Sequence, residues 1–255
     1  MKKSFLMIFA VFAVALLAVA ASGCLGSDDK DPETNVPSAP AQSVIIYTDG
    51  DNVMASVTAI IFGTHSQSLD ANNSSAKING TTVDITIPVI NSDTINTRDL
   101  GYEQVLVVLG KKSDFKEGQY YTVTVGGEAD SVKKYGFEIV DGQMYSYRAA
   151  NIDNLTVAAD GNNVIVTAII AIGGGADSID KTNITASGKF DENNEYNIYI
   201  PHKTRDGPST MEMKWGEEQF VVGQLDKMEN GTYTVKVNGI SVSFTIENGK
   251  LTANA

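Results

Sequence analysis

The polypeptide repeats itself beyond residue 43, and this repeat limits the fold more than any other feature of the sequence. The pentapeptide Val-Thr-Ala-Ile-Ile occurs at 57–61 and again at 166–170. Five further matches keep the same order, with separations between 107 and 115 residues over the whole set: 49–53 with 160–164, 85–88 with 198–201, 103–104 with 218–219, 121–127 with 233–239, and 137–139 with 244–246. This period is far longer than that of a solenoid repeat. The sequence therefore predicts two complete domains of one fold, at 43–147 and 148–255.

Alternation of apolar and polar residues predicts strands in both halves. At 233–237 and 240–246, every second residue is apolar, which is the pattern of a strand with one buried face. Asn238-Gly239 between these runs predicts a hairpin turn, because both residues tolerate positive φ. Similar short runs, broken by Gly, Asn or Asp about every ten residues, are typical of antiparallel β-sandwiches. The predicted fold class is all-β, with two tandem immunoglobulin-like antiparallel sandwiches.

The second half of each repeat resembles a domain type found in bacterial and archaeal surface lipoproteins. In the second repeat, the matching residues are Ile200-Pro201, an irregular arm at 202–213, Glu217-Glu218, and the hairpin at 231–239. The resemblance implies an exported tandem sandwich module of unknown function. It carries over no functional residue.

The first 24 residues have the pattern of an export signal. Two lysines precede a run of apolar and small residues at 5–21, and this run ends just before Cys24. Residues 21–24 resemble a lipobox, although alanine replaces the usual leucine. That resemblance implies removal of a signal peptide at 1–23 and attachment of lipid to Cys24. A cleaved signal without lipid and an uncleaved membrane anchor are the alternatives.

The residues after the signal predict a tether. Cys24 is the only cysteine in the chain, so no disulfide can stabilise the fold. Residues 24–42 are rich in Ser, Pro and Asp, a composition typical of a flexible, disordered linker. We expect the protein on the outer face of the cytoplasmic membrane or in the cell envelope, anchored through its lipid.

The charge of the chain limits its partners. A formal net charge of −12 argues against nucleic-acid binding, because phosphate contacts need clustered Lys and Arg. It also argues against electrostatic adhesion to anionic lipid headgroups. The expected partners are an unknown protein or a glycan, and membrane contact is expected through the lipid on Cys24.

No residue pattern points to catalysis, and we predict that the protein is not an enzyme. The two histidines, His65 and His202, lie in different halves, and no cysteine remains to complete a zinc site. No Gly-x-Ser-x-Gly motif frames a nucleophilic serine. The acidic turns at 49–52 and 160–163 carry oxygen atoms suited to calcium, but Asp, Asn and Gly are also ordinary turn residues. No cofactor is predicted, with calcium as the alternative.

The segment at 202–216 is the candidate binding arm. It is the least strand-like stretch of the second half, and loops carry function more often than strands do. We expect His202, Arg205 and Trp215 to be exposed there. The favoured hypothesis is a lipid-anchored surface protein that binds a protein or glycan, or serves as a structural module. The alternative hypothesis is an extracellular protease inhibitor that uses an exposed loop of the second domain.

Overall fold

The computed structural model describes residues 38–62, 67–91, 99–126, 134–208, 210 and 212–254. Strands dominate these ranges, and the helical structure within them is limited to four 3-10 helices of three residues each. The all-β prediction is therefore confirmed. The predicted signal peptide, Cys24 and His65 lie outside the described residues.

Ten described strands belong to the first repeat. In chain order they are β1 (Ala41–Asp49), β2 (Asn52–Phe62), β3 (Gln67–Leu69), β4 (Ser75–Asn79), β5 (Thr82–Thr86), β6 (Val89–Asn91), β7 (Leu100–Lys111), β8 (Tyr121–Val125), β9 (Tyr135–Val140) and β10 (Gln143–Ala149). Short 3-10 helices occupy Ala71–Asn73 and Lys112–Asp114.

Ten more strands follow in the second repeat. They are β11 (Asn151–Asp160), β12 (Asn163–Ile172), β13 (Asp177–Ile179), β14 (Thr185–Ala186), β15 (Glu195–Tyr199), β16 (Pro201–Arg205), β17 (Lys214–Gln224), β18 (Gly231–Val237), β19 (Ile240–Glu247) and β20 (Lys250–Ala253). The 3-10 helices Lys181–Asn183 and Leu225–Lys227 take the same places as those of the first repeat.

Each repeat packs a three-stranded sheet against a larger one. The first three-stranded sheet has the order β1-β2-β7, and its counterpart has the order β11-β12-β17. Apolar residues from the two layers of each repeat form one buried cluster per repeat. One strand pair in each larger sheet, β5 with β8 and β15 with β18, is parallel. This corrects the prediction of purely antiparallel sheets.

The alternating residues of the central strands explain the two cores. On β2, every second residue from Val53 to Ile61 is buried, and the residues between them face outward. The β1–β2 turn places Gly50 at a φ of +59°, and the β11–β12 turn places Gly161 at +58°. An L-residue with a side chain is strained at such φ values, so glycine stabilises both turns.

Strand register defines which residues of the two repeats are counterparts. The bulge that follows Val53 on β2 recurs after Val164 on β12, a separation of 111 residues. The counterpart of Val57 is therefore Ala168, although the matching pentapeptides place it against Val166. The pentapeptide match is wrong by two residues in register, a shift that keeps every side chain on the same face.

The two repeats share one sheet. β10 pairs with β9 on one edge and with β16 of the second repeat on the other. These three strands and β13, β8, β5 and β4 form a seven-stranded sheet in the order β13-β16-β10-β9-β8-β5-β4. The predicted domain boundary between 147 and 148 falls inside β10.

Polar side chains reinforce this joint between the repeats. The carboxylate of Glu138 accepts hydrogen bonds from the hydroxyl of Tyr147 and, at 2.9 Å, from Nζ of Lys203. Asp206 accepts from the backbone N–H of Thr48 at 2.9 Å. The backbone ladder and these side chains together hold the two repeats against each other.

Candidate functional site

The outward surface of the sheet β1-β2-β7 is strongly apolar. Six of its large apolar side chains are more than half exposed: Ile45, Phe62, Leu100, Tyr102, Leu106 and Val108. We call this surface the apolar face. Exposed apolar residues are ordinary when scattered, but a contiguous group of them marks an interaction site.

The sequence of β7 places apolar side chains on both faces of the strand. Val105, Val107 and Leu109 point into the core, whereas Leu106 and Val108 between them point outward. Side chains alternate along a strand, so an unbroken apolar run covers both faces. This strand is at the edge of its sheet, and no described element covers its outer face.

The middle of the apolar face is a cross-strand row. Ile45 lies opposite Ser56, and Ser56 lies opposite Leu106. The Ser56 hydroxyl accepts a hydrogen bond of 2.6 Å from Nε2 of Gln104. The one polar pair at the centre of the face is therefore satisfied within the protein, which suits contact with an apolar partner surface.

The apolar face is large enough to be functional. From Leu100 to Val108 it extends about 27 Å along β7, and with its three strands it is about 14 Å wide. The largest apolar patches of typical monomers measure about 300–600 Å² and are often functional. From the row of Leu100 to the row of Val108, the outward residues are uncharged: they are Ser43, Ile45, Tyr47, Met54, Ser56, Thr58, Ile60, Phe62, Leu100, Tyr102, Gln104, Leu106 and Val108. The next row holds Asp49, Asn52 and Lys111 and ends the apolar part of the face.

The corresponding surface of the second repeat has a polar centre. The row that matches Ile45, Ser56 and Leu106 consists of Thr156, Thr167 and Gln219. The ends of this surface keep large apolar residues, since Trp215 matches Tyr102 and Val221 matches Val108. The continuous apolar face is thus a property of the first repeat alone.

The predicted binding arm at 202–216 is not a loop at its two ends. Pro201–Arg205 is strand β16 inside the shared sheet, and β17 begins at Lys214. His202 is only 2 % exposed to solvent, so the prediction that it is exposed is wrong. Proline is tolerated as the first residue of a strand, which is the position that Pro201 takes here.

The environment of His202 is that of a neutral, structural histidine. Its Nδ1 lies 3.3 Å from the hydroxyl of Thr204, and its Nε2 lies 3.9 Å from a carboxylate oxygen of Asp177. Burial lowers the pKa of His202, and the positive charge of Arg148 lowers it further, although Asp177 acts in the opposite direction. The imidazole is therefore uncharged at neutral pH.

The other two predicted arm residues are exposed but lie on different sheets. Arg205 ends β16 of the shared sheet, and Trp215 lies near the start of β17 in the three-stranded sheet. Trp215 is 59 % exposed and projects from the outer surface of the second repeat. A protease-inhibiting loop would have to lie within 206–213, where no feature of the described residues favours it.

The turns considered for calcium are β-hairpin turns. Asp49 pairs with Asn52 across one, and Asp160 pairs with Asn163 across the other. In the described part of the chain, no group of three or more His, Cys, Asp or Glu side chains gathers at one place.

Among the described residues, the structure contains no helix of the length and hydrophobicity needed to cross a membrane.

Comparison with known proteins finds none that is significantly similar to this chain. No family model matches the chain, and no curated protein or solved structure is significantly similar to it. The candidate site therefore rests on the geometry of this protein alone.

The sequence contained a signal for the apolar face that the search for motifs missed. Residues 105–109 read Val-Leu-Val-Val-Leu, an unbroken apolar run in a sheet with only one buried side. Such a run in a surface strand leaves every second side chain exposed to solvent. A count of apolar residues on each face of each predicted strand finds it.

Proposed function

We propose that this protein is a lipid-anchored, non-catalytic surface protein whose first repeat binds a protein partner through the apolar face. In this proposal, residues 1–23 direct export and Cys24 carries the lipid. The predicted linker at 24–42 is too long at its C-terminal end, because Ser38 bridges to Pro88, Ala39 is buried and β1 begins at Ala41. In the proposal, the residues from 24 to 37 present two immunoglobulin-like sandwiches outside the cytoplasmic membrane. The observation that supports binding is the uncharged outer surface around Ile45 and Leu106.

A protein partner fits this surface better than an anionic membrane does. The chain carries a net charge of −12, so anionic headgroups repel it. Between the rows of Leu100 and Val108, the face contains no Lys or Arg, the residues that lipid-binding surfaces place around their apolar side chains, and Lys111 lies only in the row beyond. An apolar centre depleted of charge is instead the composition of a protein–protein interface core.

The size of the face predicts a moderate intrinsic affinity. Stable complexes bury about 800 Å² per partner, more than the apolar face supplies. Confinement by a membrane anchor raises the local concentration of both partners, so a small interface is sufficient at a cell surface.

The test compares substitutions at matched positions of the two repeats. In Ile45→Thr/Leu106→Gln, the first repeat receives the residues that the second repeat carries at Thr156 and Gln219. We expect this variant, prepared without residues 1–23, to lose binding to an envelope protein by at least about tenfold, because two buried apolar contacts are removed. Cross-linking in envelope membranes followed by titration with the purified partner measures the change.

The control is Val221→Thr on the outer surface of the second repeat. It should leave binding unchanged while removing a similarly exposed apolar side chain. Equal binding by the wild type and the double variant would refute the proposal. Co-sedimentation with neutral phosphatidylcholine vesicles that the double substitution abolishes would assign the face to lipid and would also refute it.

A further inference from the structure

A groove runs along the joint where the two repeats share their sheet. It consists of two adjoining cavities of about 300 Å³ and 240 Å³. Lys134, Thr185 and Tyr199 line both cavities and form the wall between them. Together the cavities fall in the range of about 300–1,000 Å³ that small-molecule sites occupy. The groove and the apolar face have no lining residue in common.

Tyrosine rings shape the first cavity. Tyr147 is buried at its floor, and the ring of Tyr120 meets it edge-on with centroids 5.2 Å apart. Tyr199 is half-buried, and its hydroxyl donates to the carbonyl of Lys134 at 3.1 Å. The Lys134 ammonium lies 4.6 Å from the centroid of the Tyr199 ring. Tyr120 and Tyr199 are thus held in place and still reachable from solvent.

Polar groups complete the lining. The Glu138 carboxylate is 19 % exposed and uses Oε1 for its bonds to Tyr147 and Lys203. Its other oxygen, Oε2, accepts no hydrogen bond from any described residue. Exposed amide and hydroxyl side chains line the rest: Asn183, Thr185, Ser187 and Asn197. A partly buried carboxylate oxygen without a donor suits a hydroxyl of a ligand.

The groove residues are absent from the corresponding places at the outer ends of the repeats. By strand register, Thr232 matches Tyr120, Thr86 matches Tyr199, and Asn254 matches Tyr147. Ser241 matches Lys134 and Thr245 matches Glu138. The fold of a repeat therefore does not need these rings or charges. Tyr147 and Glu138 secure the joint, and Tyr199 adds one hydrogen bond and one cation–π contact to Lys134 across it.

We propose that this groove binds a neutral oligosaccharide. The weakly positive C–H groups of a pyranose stack against the electron-rich face of an aromatic ring, and tyrosine combines such a face with a polar tip. Sugar hydroxyls require several donors and acceptors close to the ring, which Glu138 and the amide and hydroxyl side chains supply. The Lys236 ammonium is paired with Glu195, the Lys134 ammonium lies over the Tyr199 ring, and the Glu138 carboxylate in the first cavity repels an anion, so a neutral ligand fits the lining best.

The tyrosine hydroxyls remain donors over a wide pH range. Burial, together with the negative charges of Asp180 and Glu138, raises the pKa of Tyr120 to about 12. Burial also raises the pKa of Tyr199. Both side chains are therefore protonated at any physiological pH.

The test uses the chain from residue 24 with Cys24→Ser and a panel of neutral disaccharides and tetrasaccharides. The panel contains glucose, mannose, galactose and N-acetylglucosamine units, and binding is measured by NMR titration and calorimetry. We expect saturable binding in the micromolar to millimolar range. Tyr199→Thr and Tyr120→Thr, which install the residues of the other repeat, should each weaken it at least about tenfold through loss of a stacking surface.

Two further variants separate stacking from folding. Tyr199→Phe keeps the ring and should retain binding within about threefold, whereas a purely structural role of the hydroxyl would make it as damaging as Tyr199→Thr. Tyr102→Thr removes an exposed tyrosine of the apolar face and should leave binding unchanged. Absence of saturable binding to every sugar of the panel, or equal binding by the wild type and both threonine variants, would overturn the proposal. The test of the protein partner is unaffected by either outcome.

Discussion

The two repeats are alike inside and different outside. Phe137 stacks on Tyr121 with centroids 5.4 Å apart, and its counterpart Phe244 stacks on Tyr233 at 5.6 Å. The outer rows differ in their centre, where the first repeat carries Ile45 and Leu106 and the second carries Thr156 and Gln219. Packing requires the shared interior, but nothing in the fold requires an apolar exterior. For that reason, the partner binding that we propose is placed on the first repeat.

The largest expected effect tests the shared interior. Phe137→Ala and Phe244→Ala each remove a fully buried ring from an equivalent stack, so each should cost about 3–5 kcal/mol of unfolding free energy. Chemical denaturation followed by circular dichroism measures the loss. If one substitution costs less than about 1 kcal/mol, the two interiors are not equivalent.

Hydrogen exchange on the same variants tests the joint. Because β10 belongs to the sheet of both repeats, we expect Phe137→Ala to reduce protection of β12 as well as β2. Loss of protection confined to the first repeat would show that the two halves open independently.

An intermediate effect is expected from transferring the apolar row to the second repeat. Thr156→Ile/Gln219→Leu adds the missing centre between Trp215 and Val221, which are already exposed. We expect a second binding event for the same partner, about tenfold weaker than the first, because the flanking residues differ. Calorimetric stoichiometry measures it. A stoichiometry that stays at one would show that the row alone does not define the site.

The smallest expected effect concerns His202, whose counterpart in the first repeat is Val89. Burial holds the pKa of His202 below its ordinary value of about 6.5, so the unfolded chain binds a proton that the folded chain does not. Folding stability should therefore fall as the pH drops below about 6.5, until the folded pKa is reached. His202→Val should remove this part of the pH dependence.

Denaturation at pH 7.5 and pH 5.5 measures the difference between the wild type and the variant. The reverse substitution, Val89→His, introduces a less buried imidazole. It should add a smaller pH dependence of the free energy of unfolding than His202 does. If the free energy of unfolding changes equally with pH in the wild type and in His202→Val, the pKa of His202 is not lowered.

Local patterns predicted the strands but not their assembly. Alternation identified β18 and β19, and the Asn238-Gly239 turn between them has the positive φ values expected of both residues. The register of the repeat was misjudged because a shift of two residues preserves the inward face, so the sequence pattern cannot distinguish the two alignments. Which edge strands pair with each other depends on their positions in the tertiary structure and not on local sequence. For that reason, the pairing of β10 with β16 left no trace in the sequence.

The candidate sites were only partly accessible to sequence reasoning. Pro201 suggested the end of a strand, and so His202 was expected in a loop, whereas the proline begins an internal strand. The apolar face had a local signal in the apolar run Val105–Leu109. That run can be interpreted only when it is known which side of the sheet is buried. The groove had no local sequence signal, because Tyr120 and Tyr199 come to line the same cavity only through the pairing of strands that are distant in the sequence.

The strand that both repeats share has a consequence for recognition at a distance. Tandem modules usually swing about a linker and lose orientational freedom when they dock at two points. Here the backbone ladder through β10 replaces a hinge, so the span between the groove and the outer surface around Leu106 is set when the chain folds. For the two proposed sites, this fixed span predicts that a glycosylated partner engages both when its sugar and its apolar patch are separated by the same distance, and that a partner with a different separation engages only one.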